Sequence, residues 1–428
     1  MIQLTEIEKK MLNGDMGRFK QIAIQNIIQY AKVLNADRLC EVTKATLYLG
    51  AHPYLEAVKS ENYDEIFSKM YMCTDEKVEL GMFSSDCSCQ TCVAPSDQFE
   101  YEPLNLSKEF FDKNNEYLNR TKESGVVIMG SCTPYLTGWI PLYGEHFVTT
   151  ESSNVLMSNA IFGARGNSDG IEAAAWSAVC GRTPYWGNHV PENRYGTHIF
   201  NIKCSSDSVL DWDLIGYTIG RTLPSHAVPV VNGTFKRPDI IKLKQFFASL
   251  ATTSGAEMCH IVGVTPEAVT LKMAIGENNI IEEIDITEDD IRDSYRMLCD
   301  LGNEDLQMVT LGCPHYSIQE IRLAALYLEG KKVNKNVKLY IWTDIPTKAV
   351  ADVNGYTNMI KEAGGHLLTS SCPLVIGKKC FDTVEGMAMD GAKQAHYMRS
   401  ETEANIFYGD MYKCIDSAVL GKWVSDFE

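Results

Sequence analysis

The sequence predicts an α/β protein made of several subdomains, each built around a parallel β-sheet. Short apolar runs, each followed by a turn, alternate with amphipathic helical stretches along the chain. Buried strands that alternate with helices are typical of parallel sheets. A chain of 428 residues, of which 45% are hydrophobic and 22% charged, has room for two or three such subdomains with packed cores.

The predicted elements follow one another in order. Residues 5–34 form an amphipathic helical pattern with apolar positions such as Ile7, Met11 and Ile24. The acidic segment 276–296 is predicted to be a solvated surface helix or linker, whereas residues 318–328 form an amphipathic helix opened by the S-x-x-E capping box of Ser317 and Glu320. Four apolar runs are predicted to be buried strands: Gly125–Gly130, Leu306–Gly312, Val337–Thr343 and His366–Ser370.

Charge and cysteine content limit the classes of function. The net charge of −17 disfavours nucleic acids and anionic membranes as partners. The N-terminus has no secretory signal pattern and no apolar run is long enough to span a bilayer, so we expect a cytoplasmic protein. In a reducing compartment the 14 cysteines are expected to be mostly small core residues, with a few available to bind metal.

Three cysteines follow predicted strands directly. They are Cys132, Cys313 and Cys372, and each is followed by proline, either at once or after one residue. Ligand sites of open α/β sheets gather at the carboxyl ends of the strands, and proline turns the chain away from the strand. Three thiolates from distant segments suit a soft metal or an iron–sulfur cluster. Spacing alone favours three unrelated cysteines at strand ends, because no C-x-x-C motif unites them.

A second group of cysteines lies close together in the sequence, at Cys87, Cys89 and Cys92. This spacing is typical of a metal motif, but a structural zinc site needs further ligands at matching spacing, and none follows downstream. A redox C-x-x-C pair lacks a thioredoxin-like context here. We therefore predict a loop near the active centre, with a zinc-binding module as the alternative.

The longest motif runs from Cys132 to Arg194. It begins CTPYLTGWIPLYGEHFVTTESSNVLMSNAIFGARGNSDG and contains a GRTPYWG turn at 181–187. Together with LTEIEKKMLNGDMG near the N-terminus, LGCPHYSIQE at 311–320 and GAKQAHY at 391–397, it resembles the aconitase X family. The resemblance runs over nearly the whole chain, so residues 1–428 are expected to form one aconitase X large-subunit region with two or three α/β subdomains.

The resemblance implies an aconitase-like iron–sulfur hydro-lyase. It implies that Cys132, Cys313 and Cys372 bind the cluster, and that one iron without a protein thiolate acts as a Lewis acid on the leaving hydroxyl. It further implies that the swivelling domain is a separate small subunit, which carries a serine as the general base. The resemblance also implies a hydroxy acid as substrate, since known substrates within the family are cis-3-hydroxy-L-proline and mevalonate 5-phosphate.

One departure from the family pattern bears on the substrate. The family usually reads GARTNREG where this chain has Gly163 to Gly170, so that a basic residue is replaced by Ser168. The family also usually has a Thr/Asn-rich stretch ahead of an aspartate, and in this chain a Cys-rich segment ending at Asp97 takes its place. Because phosphate recognition favours several charge-assisted donors, we expect a hydroxyproline-like acid, with mevalonate 5-phosphate as the second choice.

Further candidate residues come from the same motifs, and each has a structural alternative. Arg165 is expected to clamp a substrate carboxylate rather than form an ion pair, and Lys393 to neutralise a substrate anion rather than lie on the surface. Candidates for catalysis are His52, Ser152 and Ser153, the serines being equally suited to cap a helix. Candidates for substrate binding are also Glu151, Asn159 and Asn167, the asparagines being equally suited to buried structural contacts. His315 is expected to support the cluster region.

Two other classes of function remain compatible with the sequence. The altered loop around Ser168 permits an iron–sulfur sensor or scaffold without catalysis, and the group at Cys87 permits a zinc-binding module. An iron–sulfur protein purified without oxygen is brown and a zinc protein is colourless, so colour separates the last reading from the others.

Overall fold

The computed structural model describes residues 2–49, 58–90, 104–376 and 380–424, and the structural statements below concern these residues. The strands form parallel sheets in three successive parts of the chain, here called the first, second and third units. This arrangement confirms the predicted α/β class with several parallel-sheet subdomains.

The first unit contains a parallel sheet of order β3-β2-β4 and an antiparallel pair, β1 and β5. Its helices cover an apolar cluster that includes Ile24, Ile27 and Phe67. Its elements are α1 (Glu6–Asn13), α2 (Arg18–Val33), β1 (Leu39–Glu41), β2 (Lys44–Leu47), α3 (Tyr63–Met70), β3 (Asp86–Cys89), α4 (Lys108–Glu123), a 3-10 turn (Pro134–Thr137), β4 (Phe147–Thr149), α5 (Ser152–Ala160), α6 (Ile171–Cys180), β5 (Arg182–Pro184) and two 3-10 turns (Gly187–His189, Pro191–Arg194).

Two predictions in this unit need correction. The helical pattern over 5–34 is divided between α1 and α2, because Gly14 adopts a left-handed conformation (φ 87°) that ends α1. The run at 125–130 is not a strand. It lies extended beside β3, where Val127 exchanges hydrogen bonds with Cys87 and Cys89, but it pairs only through an isolated bridge between Val127 and Ser88.

The second unit has a parallel sheet of order β8-β7-β6-β9. Its elements are β6 (His198–Ile202), α7 (Val209–Thr222), β7 (Pro229–Gly233), α8 (Ile240–Ser254), β8 (His260–Ile261), a 3-10 turn (Pro266–Ala268), α9 (Leu271–Ile275), β9 (Glu282–Ile286) and α10 (Glu288–Leu298). The prediction of a helix or linker at 276–296 was therefore wrong in part, since this segment contains β9. β9 is an edge strand and is largely exposed to solvent. The side-chain amide of Asn201 donates hydrogen bonds to the carboxylates of Glu283 and Asp285 on this strand.

The third unit has a parallel sheet of order β12-β11-β10-β13-β14, which supplies the largest apolar cluster. Its elements are β10 (Met308–Leu311), α11 (Ile318–Leu328), β11 (Lys338–Thr343), α12 (Ile345–Val353), α13 (Tyr356–Ala363), β12 (Gly365–Thr369), β13 (Gly386–Met389), α14 (Ala392–Glu401), β14 (Asn405–Tyr408) and α15 (Met411–Leu420). The strands predicted at 306–312, 337–343 and 366–370 are confirmed, and so are α11 and its capping box.

A buried carboxylate ties the second unit to the third. Asp213 in α7 accepts hydrogen bonds from the backbone N–H of Ala392 (2.8 Å) and from the hydroxyl of Tyr408 (2.6 Å), both in the third unit. The hydroxyl of Ser249 in α8 is a further donor. Burial raises the pKa of Asp213 to about 6, although these donors oppose the shift.

Candidate active site

The three cysteines that follow strands are all buried. Cys313 lies two residues past the end of β10 and Cys372 three residues past the end of β12. Parallel strands end at the same edge of their sheet, so both lie at one edge of the third unit. Cys132 belongs to the first unit, at the turn between the extended segment beside β3 and the 3-10 turn Pro134–Thr137. Only 6–8% of each of the three residues is exposed.

The structure brings these three thiols into one neighbourhood. The backbone N–H of His315, two residues past Cys313, donates to the sulfur of Cys132 at 3.3 Å. Burial raises the pKa of Cys132 to about 12 and that of Cys372 to about 11, and it raises that of Cys313 as well. The thiols also lie close enough to affect one another, since negative charge on Cys372 further raises the pKa of both Cys132 and Cys313.

A buried ion pair lies against the thiols. The ammonium of Lys393, in the first turn of α14, is 2.6 Å from the carboxylate of Glu151, which precedes α5. Burial works against both charges, yet the pKa of Glu151 is lowered by Lys393 and by the hydroxyl of Ser153, whereas that of Lys393 is raised. Both charges act on all three thiols, with Lys393 lowering their pKa and Glu151 raising it. Glu151 belongs to the first unit, as Cys132 does, and Lys393 to the third, as Cys313 and Cys372 do. The ion pair therefore links the two units beside the three thiols.

The turn that carries Cys313 is held by the second unit. Lys244 in α8 is 1% exposed, and its ammonium donates to the carbonyl oxygens of Pro314 (3.3 Å) and His315 (2.9 Å). Both oxygens of Glu320 lie 2.8 Å from the same ammonium. A buried lysine needs this complete set of acceptors. Lys244 was not among the residues predicted from the sequence, where the one clue was a lysine on the apolar face of the KLKQFFASL helix.

Glycine at position 312 is required by the same turn. Gly312 has φ of +92°, and a Cβ there would lie 2.4 Å from the carbonyl oxygen of Trp342. Across the turn, a Cβ on Gly391 would lie 2.2 Å from the carbonyl oxygen of Cys313. Both glycines therefore allow neighbouring backbone segments to approach closely, and this close packing fixes the position of the Cys313 backbone.

The serines and histidines predicted for this site take different places. Ser153 donates to the carboxylate of Glu151 at 3.1 Å. Ser152 is the first residue of α5, whose N-cap is Glu151, so neither serine caps the helix. The Nε2 atom of His315 lies 2.8 Å from the carbonyl oxygen of Ser371, between the two cysteines of the third unit. His52 lies outside the described residues.

Two asparagines predicted to bind substrate lie in helix α5 and in the loop that follows it. The amide of Asn159 is occupied by the backbone of Gly166 and Glu257 and by Arg194. Asn167 bonds the backbone of Trp186 and Asn188. Both amides thus take part in structural contacts, and substrate binding by them stays a prediction.

Arg165 lies at the far end of β4 from Glu151. Its backbone pairs with His146, whereas Ser168 pairs with Thr149 at the end of β4. At a rise of about 3.3 Å per residue, these two points are about 10 Å apart. The charge of Arg165 contributes, after burial, to the lowered pKa values of His146 (about 4) and His189 (about 3). Its role as a carboxylate clamp stays a prediction.

Two members of the second cysteine group are core residues. Cys87 and Cys89 lie on β3 and belong to the apolar cluster of the first unit. Burial raises the pKa of the Cys87 thiol, and the thiol of Cys89 faces the carbonyl oxygen of Gln90 at 3.2 Å. Cys92 lies outside the described residues. The two described cysteines therefore serve packing in this structure.

Comparison with known proteins identifies the class to which this fold and site belong. Models of the first, second and third domains of aconitase X match residues 1–192, 196–296 and 306–420. The chain is thus an α/β hydro-lyase of the dehydratase type. It belongs to the aconitase X family.

Individual relatives match over almost the whole chain. A phosphomevalonate dehydratase large subunit from Methanocaldococcus jannaschii is 28% identical over 95% of this chain and 98% of its own length. A cis-3-hydroxy-L-proline dehydratase from Hypocrea jecorina is 29% identical over 98% of this chain but 69% of its own length. The crystal structure of Thermococcus kodakaraensis aconitase X in its holo-form superposes with a TM-score of 0.81 at 27% identity, covering 97% of this chain and 100% of the other.

The predicted family and enzyme class are therefore confirmed. Among the helices that the structure describes, none combines the length and the apolar composition needed to cross a bilayer.

Proposed function

We propose that this chain is the iron–sulfur-bearing large subunit of a dehydratase that removes water from a small hydroxy acid. The observation that carries the proposal is the meeting of three buried thiols, from two units of the fold, beside the Glu151–Lys393 ion pair. Thiolates are the donors that iron–sulfur clusters require. When bound by Cys132, Cys313 and Cys372, such a cluster would supply an iron with an open position, a Lewis acid for the leaving hydroxyl.

The donors around the thiols support this assignment. The N–H of His315 points at the sulfur of Cys132, and the backbone N–H groups of Leu374 and Val375 lower the pKa of Cys372. Hydrogen bonds to sulfur and a nearby cation both stabilise thiolate, and Lys393 is that cation. In a protein of net charge −17, a buried cation here also provides the local positive charge that an acid substrate needs.

We assign distinct tasks to the ion pair. Dehydration of a β-hydroxy acid removes a proton from the α-carbon and hydroxide from the β-carbon, which together leave as water while a C=C bond forms. Lys393 would bind the substrate carboxylate, in exchange for part of its contact with Glu151. Glu151, oriented by Ser153, would accept a hydrogen bond from the substrate hydroxyl. The α-proton acceptor is assigned to the partner subunit, as the family resemblance implies.

The loop at Ser168 supports a substrate without phosphate. The backbone N–H of Ser168 donates to the carboxylate of Glu257 at 3.0 Å, and Asp169 is buried beside it. The carboxylate of Glu257 opposes a phosphate dianion at this loop, and the basic residue of the family pattern is missing. We therefore favour an acid of the cis-3-hydroxy-L-proline type over mevalonate 5-phosphate.

A small partner subunit is part of the proposal. The relatives matched over 95–98% of their length in Methanocaldococcus jannaschii and Thermococcus kodakarensis are named as large subunits. The longer relative from Hypocrea jecorina carries no subunit designation in its name. The resemblance implies that the remaining part is the swivelling domain, and we propose that it binds over the Glu151–Lys393 pair.

The cluster assignment is tested by single cysteine variants purified without oxygen. Cys132→Ser, Cys313→Ser and Cys372→Ser should each lose most of the iron and the visible absorbance. Cys259→Ser is the matched control, because Cys259 is an equally buried free cysteine of the second unit. If the three variants keep the iron content of the wild type, or the control loses it equally, the assignment is wrong.

The substrate is tested with the two-subunit complex. The large subunit, co-purified with its small partner, is assayed for water loss from cis-3-hydroxy-L-proline and from mevalonate 5-phosphate. We expect turnover of the hydroxyproline and little of the phosphate. Turnover of mevalonate 5-phosphate alone would show that the Ser168 loop does not set the preference, and full activity of the isolated chain would exclude an essential partner.

A further inference from the structure

A second group of side chains of the kinds that bind metal ions lies outside the proposed active site, in the first unit. Cys40 is the middle residue of β1, His146 directly precedes β4, and His189 ends the 3-10 turn Gly187–His189. The Nδ1 atoms of the two histidines face each other at 3.0 Å. Together with the sulfur of Cys40 they form a group in which all three ligand atoms lie within 4.8 Å of one another.

An unpaired buried carboxylate accompanies this group. Asp169 is 5% exposed, and both of its side-chain oxygens are buried without a hydrogen-bond partner among the described residues. Its negative charge is, after burial, the largest cause of the raised pKa of the Cys40 thiol. An acid buried in this way is costly unless a cation or a donor compensates it.

We propose that Cys40, His146 and His189 bind one Zn²⁺ ion, with Asp169 as the neighbouring anion. Two imidazole nitrogens and one thiolate are a typical zinc ligand set, with a fourth position left for water or a carboxylate oxygen. With bonds of about 2.0–2.3 Å, tetrahedral zinc places its ligand atoms about 3.3–3.6 Å apart. The histidine rings need to separate by only a few tenths of an ångström from their present 3.0 Å.

The charges fit a divalent ion. The positive charge of Arg165 lies close enough to both histidines to disfavour a further positive charge there. A cation bound at this place therefore requires anionic ligands. The thiolate of Cys40 and the carboxylate of Asp169 together balance the two charges of zinc. Without a metal, the two imidazoles share one hydrogen bond, the thiol of Cys40 lies 3.7 Å from the carbonyl oxygen of Thr183, and Asp169 has no donor among the described residues.

The position of the site indicates a structural role. His146 pairs with Arg165, and Asn167 bonds the backbone at Trp186 and Asn188, next to His189. Zinc would join both flanks of the loop that carries Arg165 and Asn167. It would therefore act as a clamp on that loop, in a different place from the three thiols of Cys132, Cys313 and Cys372.

The test is zinc analysis of the full-length protein, purified with its iron, combined with X-ray absorption at the zinc edge. This edge reports zinc alone, whatever the iron content. We expect about one zinc per chain, with one sulfur near 2.3 Å and two imidazole nitrogens near 2.0–2.1 Å. Absence of retained zinc, or a shell of three sulfurs as the other cysteine group would give, overturns the proposal.

Variants separate this site from others. Cys40→Ser and His146→Gln should each lose most of the zinc, and Cys40→Ser should lose the sulfur shell from whatever zinc remains. Cys204→Ser is the matched control, since Cys204 is also a half-buried free cysteine. Zinc content unchanged in both test variants, or lowered equally in the control, overturns the assignment. If a variant does not fold, the absorption spectrum of the unmodified protein still decides.

Discussion

The contact of Lys244 with the Cys313 turn gives the sharpest test of how the site is built. Lys244→Met removes the ammonium that bonds two backbone carbonyls and Glu320, and it leaves the carboxylate without its cation. Breaking a buried ion pair in this way costs about 3–5 kcal/mol. With an unfolding entropy of about 2.1 cal/mol/K per residue, the 428 residues give about 0.9 kcal/mol/K, so a cooperative transition should shift by about 3–6 °C.

Calorimetry of three variants measures this effect. Lys69→Met is the matched control, because Lys69 lies in a helix and pairs with Glu65 at a similar distance (2.7 Å), but both side chains are more than a third exposed. Such a surface pair is worth about 0.3–0.5 kcal/mol, which predicts a shift below about 1 °C. The double variant Lys244→Met/Glu320→Gln removes the unpaired charge while keeping a capping residue, and should recover part of the loss. Equal shifts for Lys244→Met and Lys69→Met would refute the reasoning.

Two further predictions concern the same region. Gly312→Ala should destabilise the protein by about 1–3 kcal/mol more than Gly302→Ala, because both glycines have positive φ but only the methyl at 312 meets a backbone oxygen; iron content and melting temperature check this, and equal effects would contradict it. The second concerns Asp213, whose pKa of about 6 in the folded protein lies above the value of about 3.9 in the unfolded chain. The folded state therefore holds the proton more tightly, and this contribution to stability is lost as the pH rises from about 4 to 6. The melting temperature of the wild type relative to Asp213→Asn should accordingly fall over that interval, and a constant difference would contradict the assignment.

Features of the fold that depend on local sequence were predictable. The strands at β10, β11 and β12 are continuous apolar runs, and α11 carries its own capping box at Ser317, so their positions follow from a few neighbouring residues. The same locality placed Cys313 and Cys372 after strands. Cys132 was grouped with them by the same argument and by the family motif, although the segment before it is no strand and pairs with β3 only by an isolated bridge.

Features that depend on tertiary contacts were not predictable in this way. β9 was predicted as part of a helix or linker, since its apolar alternation is limited to Ile284 and Ile286 within an acidic stretch and is too short to reveal a strand. Lys244 lies 70 residues from the carbonyl of Pro314 that it bonds, and the pairing of Cys40 with His146 and His189 crosses the whole first unit. Sequence periodicity reports the face that a residue presents and not its partner, so these contacts required the structure.

The candidate active site exists only when the three units are docked. Cys132 and Glu151 come from the first unit, Cys313, Cys372 and Lys393 from the third, and Lys244 of the second unit holds the turn between them. None of the units contains both members of the Glu151–Lys393 pair, so the buried charge of each is compensated by a different part of the chain. Substitutions at contacts between units, such as that of Asp213 with Tyr408, should therefore weaken the site without touching it, because undocking exposes an ion pair whose strength depends on burial. Iron content would then report on docking of the units as well as on the thiols themselves.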